Sequence, residues 1–251
     1  MRPNVQRDRK TVAIVRRVSP AIFLLASCSV AIAADDQDHT IHIPELMVFD
    51  LVHGLGVEQG AFEANVLVLF PLNDTSVRPV DWAPEVEHAV RDGVALEFEL
   101  GFEDSDLHAY KFAAQFTFGQ AFDNRYIHGS QVIVEKLDGA DILELTGLYL
   151  AGIRFDPEWS TLLMLGFRTE TGGDAGDHNE ALFNFSLFRE VGRHMTLGIE
   201  SDLAVDFDDD SELLVMPQLH FELSDYLEIQ LGAGAEFTAD DTEFSAGFRF
   251  I

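Results

Sequence analysis

Across residues 85–102, EVEHAVRDGVALEFELGF, apolar and charged side chains alternate one for one. Val86, His88 and Val90, then Val94, Leu96, Phe98, Leu100 and Phe102, share one face; Glu85, Glu87, Glu97 and Glu99 share the other. A helix would scatter both sets around its axis, so period two demands extended chain. The alternation also constrains the turn. A two-residue loop at Asp92-Gly93 would set Glu87 opposite Phe98 and mix the faces. A three-residue loop, Arg91-Asp92-Gly93, pairs Val90 with Val94, Glu87 with Glu97 and Glu85 with Glu99, and puts Gly at the left-handed position. Four carboxylates then oppose one another directly, which destabilises a bare strand pair. That face has to be wet, paired with cations or functional.

The same period recurs along the chain. Alternating segments fall at 60–71, 85–90, 94–102, 107–120, 129–136, 142–155, 159–170, 181–190, 194–207, 213–223, 226–237 and 243–251. Most are about ten residues long, the length that crosses a bilayer when tilted by about 45°. Bulky Phe, Leu and Val on one face of nearly every segment, with charge on the other, would overfill a small interior and suit a lipid-facing exterior. The expected fold is all-β: a single antiparallel up-and-down transmembrane β-barrel over residues 60–251, with twelve strands. Ten is the fallback count, because 129–136 is short and poorly apolar and the 121–128 connection is long for a turn. Pro217 cannot donate to a ladder, which argues for a bulge there.

Residues 1–33 read as an export signal. Arg2, Arg7, Arg9, Lys10, Arg16 and Arg17 precede a short apolar run from Ala21 to Ile32, and Ala31-Ile32-Ala33 fits a small-residue cleavage site. A second reading of the same stretch takes Leu25-Ala26-Ser27-Cys28 as a lipobox, with lipid anchoring through Cys28. Residues 34–59 then read as a polar, periplasmic N-terminal segment in which His39, His42 and His53 are solvated. Of 16 basic and 44 acidic residues, this leader takes six and one, leaving 10 and 43 and a charge of −33. A surface that acidic repels nucleic acid, which excludes it as a partner.

A leading ELMVFDLVHGLGVEQGAFE segment, the PEVEHAVRDGVALEFELGFED hairpin and a C-terminal GFRF run resemble a group of bacterial outer-membrane barrels. These are of the transporter or porin-like type and include the phenol-degradation meta-pathway outer-membrane family. The likeness spans most of residues 45–251 as a pattern, and the acidic-aromatic hairpin is its most specific part. It implies residence in the cell outer membrane; both termini are expected to be periplasmic because that puts the long acidic loops on one end and tight turns such as RDG and DPE on the other. It also implies contact with outer-membrane lipid and the outer-membrane assembly machinery, passage of small solutes, and no cofactor. Ile251 stands where such barrels usually end in Phe.

On this register the lumen-lining candidates are Glu85, Glu87, Glu97, Glu99, Lys111, Glu144, Arg154, Arg168, Glu200, Glu222 and Arg249, with Glu170, Asp202, Glu228 and Glu236 also inward. Lys111 is the expected partner of Glu99. A net-acidic lumen favours cations; a structural salt-bridge network is the alternative reading of the same residues. No catalytic or metal-binding set is expected. His128 and Ser130 share a face with Asp123 nearby in sequence, but no nucleophile motif supports them. The acidic stretches 174–177 and 206–210 lack calcium-loop spacing. The functional expectation is an acidic, cation-favouring outer-membrane channel. The alternatives are a non-conducting structural or adhesion barrel and a soluble periplasmic lipocalin-like barrel.

Overall fold

A computed structural model describes residues 41–49, 51–172, 178–207, 211–224 and 226–251. The leader with Cys28, the histidine at 39 and the acidic stretches 174–177 and 208–210 lie outside the described residues. Twelve strands run β1 (Phe62–Pro71), β2 (Asp81–Arg91), β3 (Val94–Glu103), β4 (Asp106–Ala121), β5 (Tyr126–Leu137) and β6 (Ile142–Arg154) in the first half. The second half has β7 (Trp159–Gly172), β8 (His178–Glu190), β9 (Met195–Asp206), β10 (Glu212–Ser224), β11 (Leu227–Phe237) and β12 (Thr242–Phe250). Each pairs antiparallel with its neighbours in sequence, and β12 returns to β1 through pairs such as Val66↔Phe250 and Val68↔Phe248, closing the barrel. Closure leaves no unpaired edge.

The alternation places Val86, Leu96, Phe112, Phe167 and Phe183 on the outside, with Phe167 66% exposed. Exposed Phe, Leu and Val recur on every strand, forming an apolar belt far larger than the patches soluble monomers carry. Aromatic pairs mark both ends of this surface. Trp82 stacks on Phe102 at 4.2 Å, and Tyr126 stacks on His128 at 5.3 Å.

Several details differ from the sequence expectation. Glu85↔Glu99 and Glu87↔Glu97 pair as the faces require, but Arg91, not Val90, sits opposite Val94. The loop is therefore the two residues Asp92 and Gly93, and the extra residue is a bulge at Val90 that restores the register. Gly93 takes φ +68°. β5 runs to twelve residues, leaving only 122–125 as a turn, where Phe122, Asp123 and Asn124 are all left-handed; the fallback of ten strands falls away. Pro217 causes no shift: Val215↔Ala235 and Gln218↔Gly232 keep one register across it, and the irregularity lies at Glu222–Ser224.

The N-terminal segment, expected to be polar with solvated histidines, is largely buried where it is described. Ile41, Ile43, Leu46, Met47, Val48, Phe49, Leu51, Val52, Leu55 and Val57 are all buried. Their hydrogen-bond partners lie on β4, β5, β6, β9 and β12, so residues 41–49 and 51–57 sit inside the barrel as a plug. His42 O accepts from Arg154 at the end of β6, beside the 155–158 turn. Val57 O accepts from Gly93 N, 2.7 Å, in the β2–β3 turn. Both limbs of the plug thus meet the same end, called here the turn end; the opposite end carries the 72–80 connection. The reason is geometric. Eight strands enclose about what their own side chains fill, whereas twelve leave surplus space.

Gly152 shows how tightly the plug fits. A Cβ there would lie 2.8 Å from Ile43 Cγ1 and 3.0 Å from Ile127 Cγ2, and β-branched side chains have little room to turn away. Gly152→Leu should displace the ascending limb. The expected readout is faster chymotrypsin cleavage after Leu46 and Phe49 in the folded, detergent-solubilised variant than in the wild type.

Candidate functional site

The barrel interior has two unlike walls. Along β5–β8, Ile127, Ile133, Leu148, Leu150, Leu162, Met164, Leu182 and Phe188 face inward and form one cluster with the plug's Ile41, Ile43, Phe49, Leu51, Val52 and Leu55. Burying each such side chain contributes about 1.5–3 kcal/mol. Across the lumen, β1–β5 present Glu63, Glu85, Glu87, Glu97, Glu99 and Glu135, all at most 4% exposed.

Lys111 is the cation at the centre of the acidic wall. It stands opposite Glu99 in β3, donates to Glu99 Oε2 at 2.8 Å and lies 3.3 Å from Glu97 Oε1. Asn65 in β1 donates to Glu85 and, at 3.2 Å, to Glu87 Oε1. Further round, Arg168 bridges Glu144 at 3.1 Å and Glu180 at 3.3 Å. Lys111 thus holds two carboxylates of one neighbouring strand and Arg168 one from each of its two neighbours, which is how like charges on one face are kept together.

The plug's backbone is satisfied by the walls. Three successive amides at its apex converge on one carboxylate: Met47 N and Val48 N donate to Glu200 Oε2, each at 3.1 Å, and Phe49 N donates to Glu200 Oε1 at 2.5 Å. Consecutive N–H groups turned to one point form an anion nest. On the descending limb Val52 N donates to Gln131 Oε1 at 3.1 Å, Gln115 Nε2 donates to His53 O at 2.6 Å and Gly56 N donates to Thr117 Oγ1 at 2.9 Å. Arg249 in β12 donates to Leu46 O and pairs with Glu45 at 3.2 Å.

Space remains at the turn end. A cavity of about 670 Å³ is lined by both plug limbs together with Glu63, Glu190, His194, His220 and Glu228. Toward the other end, beside Phe49, Arg168 and Asp202, the void is only about 20 Å³.

No family model matches the chain, and no curated protein is similar enough in sequence to count as a relative. Solved structures do match. The KdgM porin in complex with disordered oligogalacturonate aligns with TM-score 0.57 and 10% identity over 75% of this chain and 98% of that one. The NanC porin aligns with TM-score 0.60 and 7% identity over 74% and 98%. The COG4313 outer membrane channel from Pseudomonas putida F1 gives 0.55 and 12% over 87% and 98%. The barrel shares its fold with outer-membrane porins and channels.

Of the residues singled out in the sequence, Glu85, Glu87, Glu97, Glu99, Lys111, Glu144, Arg168, Glu200 and Arg249 are buried in the interior. Arg154 and Glu222 stand at the turn-end rim instead: Arg154 pairs with Glu190 and donates to His42 O, and Glu222 lies 3.7 Å from His194 with its side chain 53% exposed. His128 is on the outer face, 3.0 Å from the Tyr149 hydroxyl, and Asp123 is exposed in the adjoining turn. The alternation puts Gln115, Gln131 and Glu135 on the polar face without singling them out, and it does not reveal Glu63, Glu180 or, above all, the plug. It also took His53 as solvated. His53 lies inside, 3.2 Å from Glu63 Oε2. Burial pushes its imidazole below the ordinary value; nearby Glu45 opposes that shift and Arg249 adds to it.

Lys111→Met would leave Glu97 and Glu99 without this cation, a loss of about 3–5 kcal/mol for a buried pair. The midpoint of heat-modifiable gel migration should drop in this variant. It should recover in part when Glu97→Gln and Glu99→Gln are added.

Proposed function

We propose that the protein is an outer-membrane channel for small solutes, with a cation-favouring lumen partly occupied by its own N-terminal segment. The observation that carries this reading is the inverted distribution of side chains. An apolar belt covers the outside, while carboxylates crowd the inside and outnumber the cations they meet. A soluble binding barrel of this strand number would keep its polar face outward. Recovery of the protein in the soluble periplasm, not the membrane fraction, would overturn this point.

An interior dominated by fixed negative charge at low dielectric attracts cations and repels anions. The porin-like fold, the paired acidic hairpin and the closed ladder all support passage along the barrel axis. Both termini at the periplasmic side, insertion by the outer-membrane assembly machinery, contact with outer-membrane lipid, and kinship with the phenol-degradation meta-pathway outer-membrane family belong to the same proposal. The absence of a catalytic role is part of it as well: His128 engages Tyr149 on the outer face, away from the lumen.

One observation favours a second reading, a non-conducting structural barrel: plug residues such as Leu46, Phe49, Leu51 and Val52 are buried against the inner wall. Planar-bilayer recording separates the two. The channel reading expects small cation-selective steps from the wild type. It expects reduced selectivity from the double variant Glu97→Gln, Glu99→Gln, and larger steps from Glu200→Gln, which weakens the seat of the plug by about 2 kcal/mol. No conductance from either the wild type or Glu200→Gln would establish the structural reading.

A further inference from the structure

The plug meets the acidic wall at one mixed cluster. Glu45 comes from the ascending limb, His53 from the descending limb and Glu63 from β1, and one ligand atom from each lies within 4.8 Å of the others. We infer that Glu45, His53 and Glu63 form a binding site for a divalent transition-metal ion, Zn²⁺ being the best match, that ties the plug to the barrel wall.

Four observations carry this assignment. The first is ligand type: one imidazole with two carboxylates is a set that borderline ions such as Zn²⁺ take, whereas Mg²⁺ and Ca²⁺ prefer oxygen alone. The second is spacing. His53 Nε2 and Glu63 Oε2 are 3.2 Å apart, close to the separation of two ligands about 2.0–2.1 Å from one ion in tetrahedral array. Neither ring nitrogen of His53 is aligned for a hydrogen bond, so the approach to Glu63 lies off the N–H direction, as it does for two ligands of a shared ion. The third is orientation of the remaining ligand. Glu45 is held by Gly54 N, which donates to Oε1 at 2.8 Å, and by Arg249, 3.2 Å from Oε2; groups that fix a ligating carboxylate in this way raise metal affinity. The fourth is access. Glu45, His53 and Glu63 all line the 670 Å³ cavity at the turn end, so an ion and its displaced waters have a route. Glu63 stands directly opposite Glu87, and a dication would offset charge that the acidic wall otherwise carries at this point.

The test uses the untagged full-length chain in detergent, stripped with chelator and titrated with Zn²⁺ by calorimetry. One ion per chain is expected. His53→Ala and Glu63→Gln should each weaken binding at least tenfold, while excess Mg²⁺ should not compete. Heat-modifiable migration shows whether each variant is folded. Should His53→Ala fail to fold, Co²⁺ added to the stripped wild type gives the answer by itself: visible d–d bands from a nitrogen- and oxygen-ligated site support the assignment, and the spectrum of hexaaqua Co²⁺ alone overturns it. Uptake of Zn²⁺ that is unchanged in the folded His53→Ala variant also overturns it, because the ion would then be held elsewhere. These readouts are independent of conductance, so the site stands or falls separately from the channel reading.

Discussion

The contact on which the interior depends is that of the Glu200 carboxylate with three consecutive amides of the plug. A twelve-stranded barrel has more room than its own side chains occupy, and chain that enters such a space brings backbone donors that must be satisfied away from bulk solvent. At the apex, where the chain reverses and has no ladder to join, one carboxylate serves Met47, Val48 and Phe49 together. The walls then divide the remaining work. β5–β8 offer apolar surface to the plug's Ile and Leu residues, and Gln115, Thr117 and Gln131 accept or donate along its descending limb.

Much of the barrel was legible because a strand's two faces are written into the sequence at period two. Phe98 and Glu99 could be assigned to opposite sides of the wall from their neighbours alone, and Lys111 could be named as the partner Glu99 needs, although the register reaches that pair only through a bulge at Gly101–Phe102. The bulge at Val90 was not legible, because a three-residue loop and a two-residue loop with a bulge deliver the same faces. The plug was missed for a different reason. Asp, His and Glu gave its stretch a polar cast, yet Leu46 to Phe49 is an unbroken apolar run. Inward positions such as Leu148, Leu150, Leu162 and Met164 are apolar where a wet lumen would be polar. Those two anomalies explain each other, but they are about a hundred residues apart, and no local pattern joins them. The cluster of Glu45, His53 and Glu63 was hidden likewise, since it assembles only when a reversing segment lies against β1.

The strong acidity of the chain also reads differently once the fold is known. Lys111 meets two carboxylates of β3, Arg168 joins one from β6 to one from β8, and Arg249 in β12 takes Glu45 of the plug. These few cations hold strands and plug in register.

The plug goes in and comes out by the same end. It is folded back on itself within the barrel and is not passed through it, and it runs directly into β1 across residues 58–61, where Gly60 N donates to Ala89 O at 2.8 Å. Among the described residues nothing is threaded. The described segment can therefore leave the lumen as a hairpin drawn from a sleeve, with no strand broken. What resists that movement is the sum of its contacts, which ligands and single substitutions can change, and not the connectivity of the chain, which they cannot.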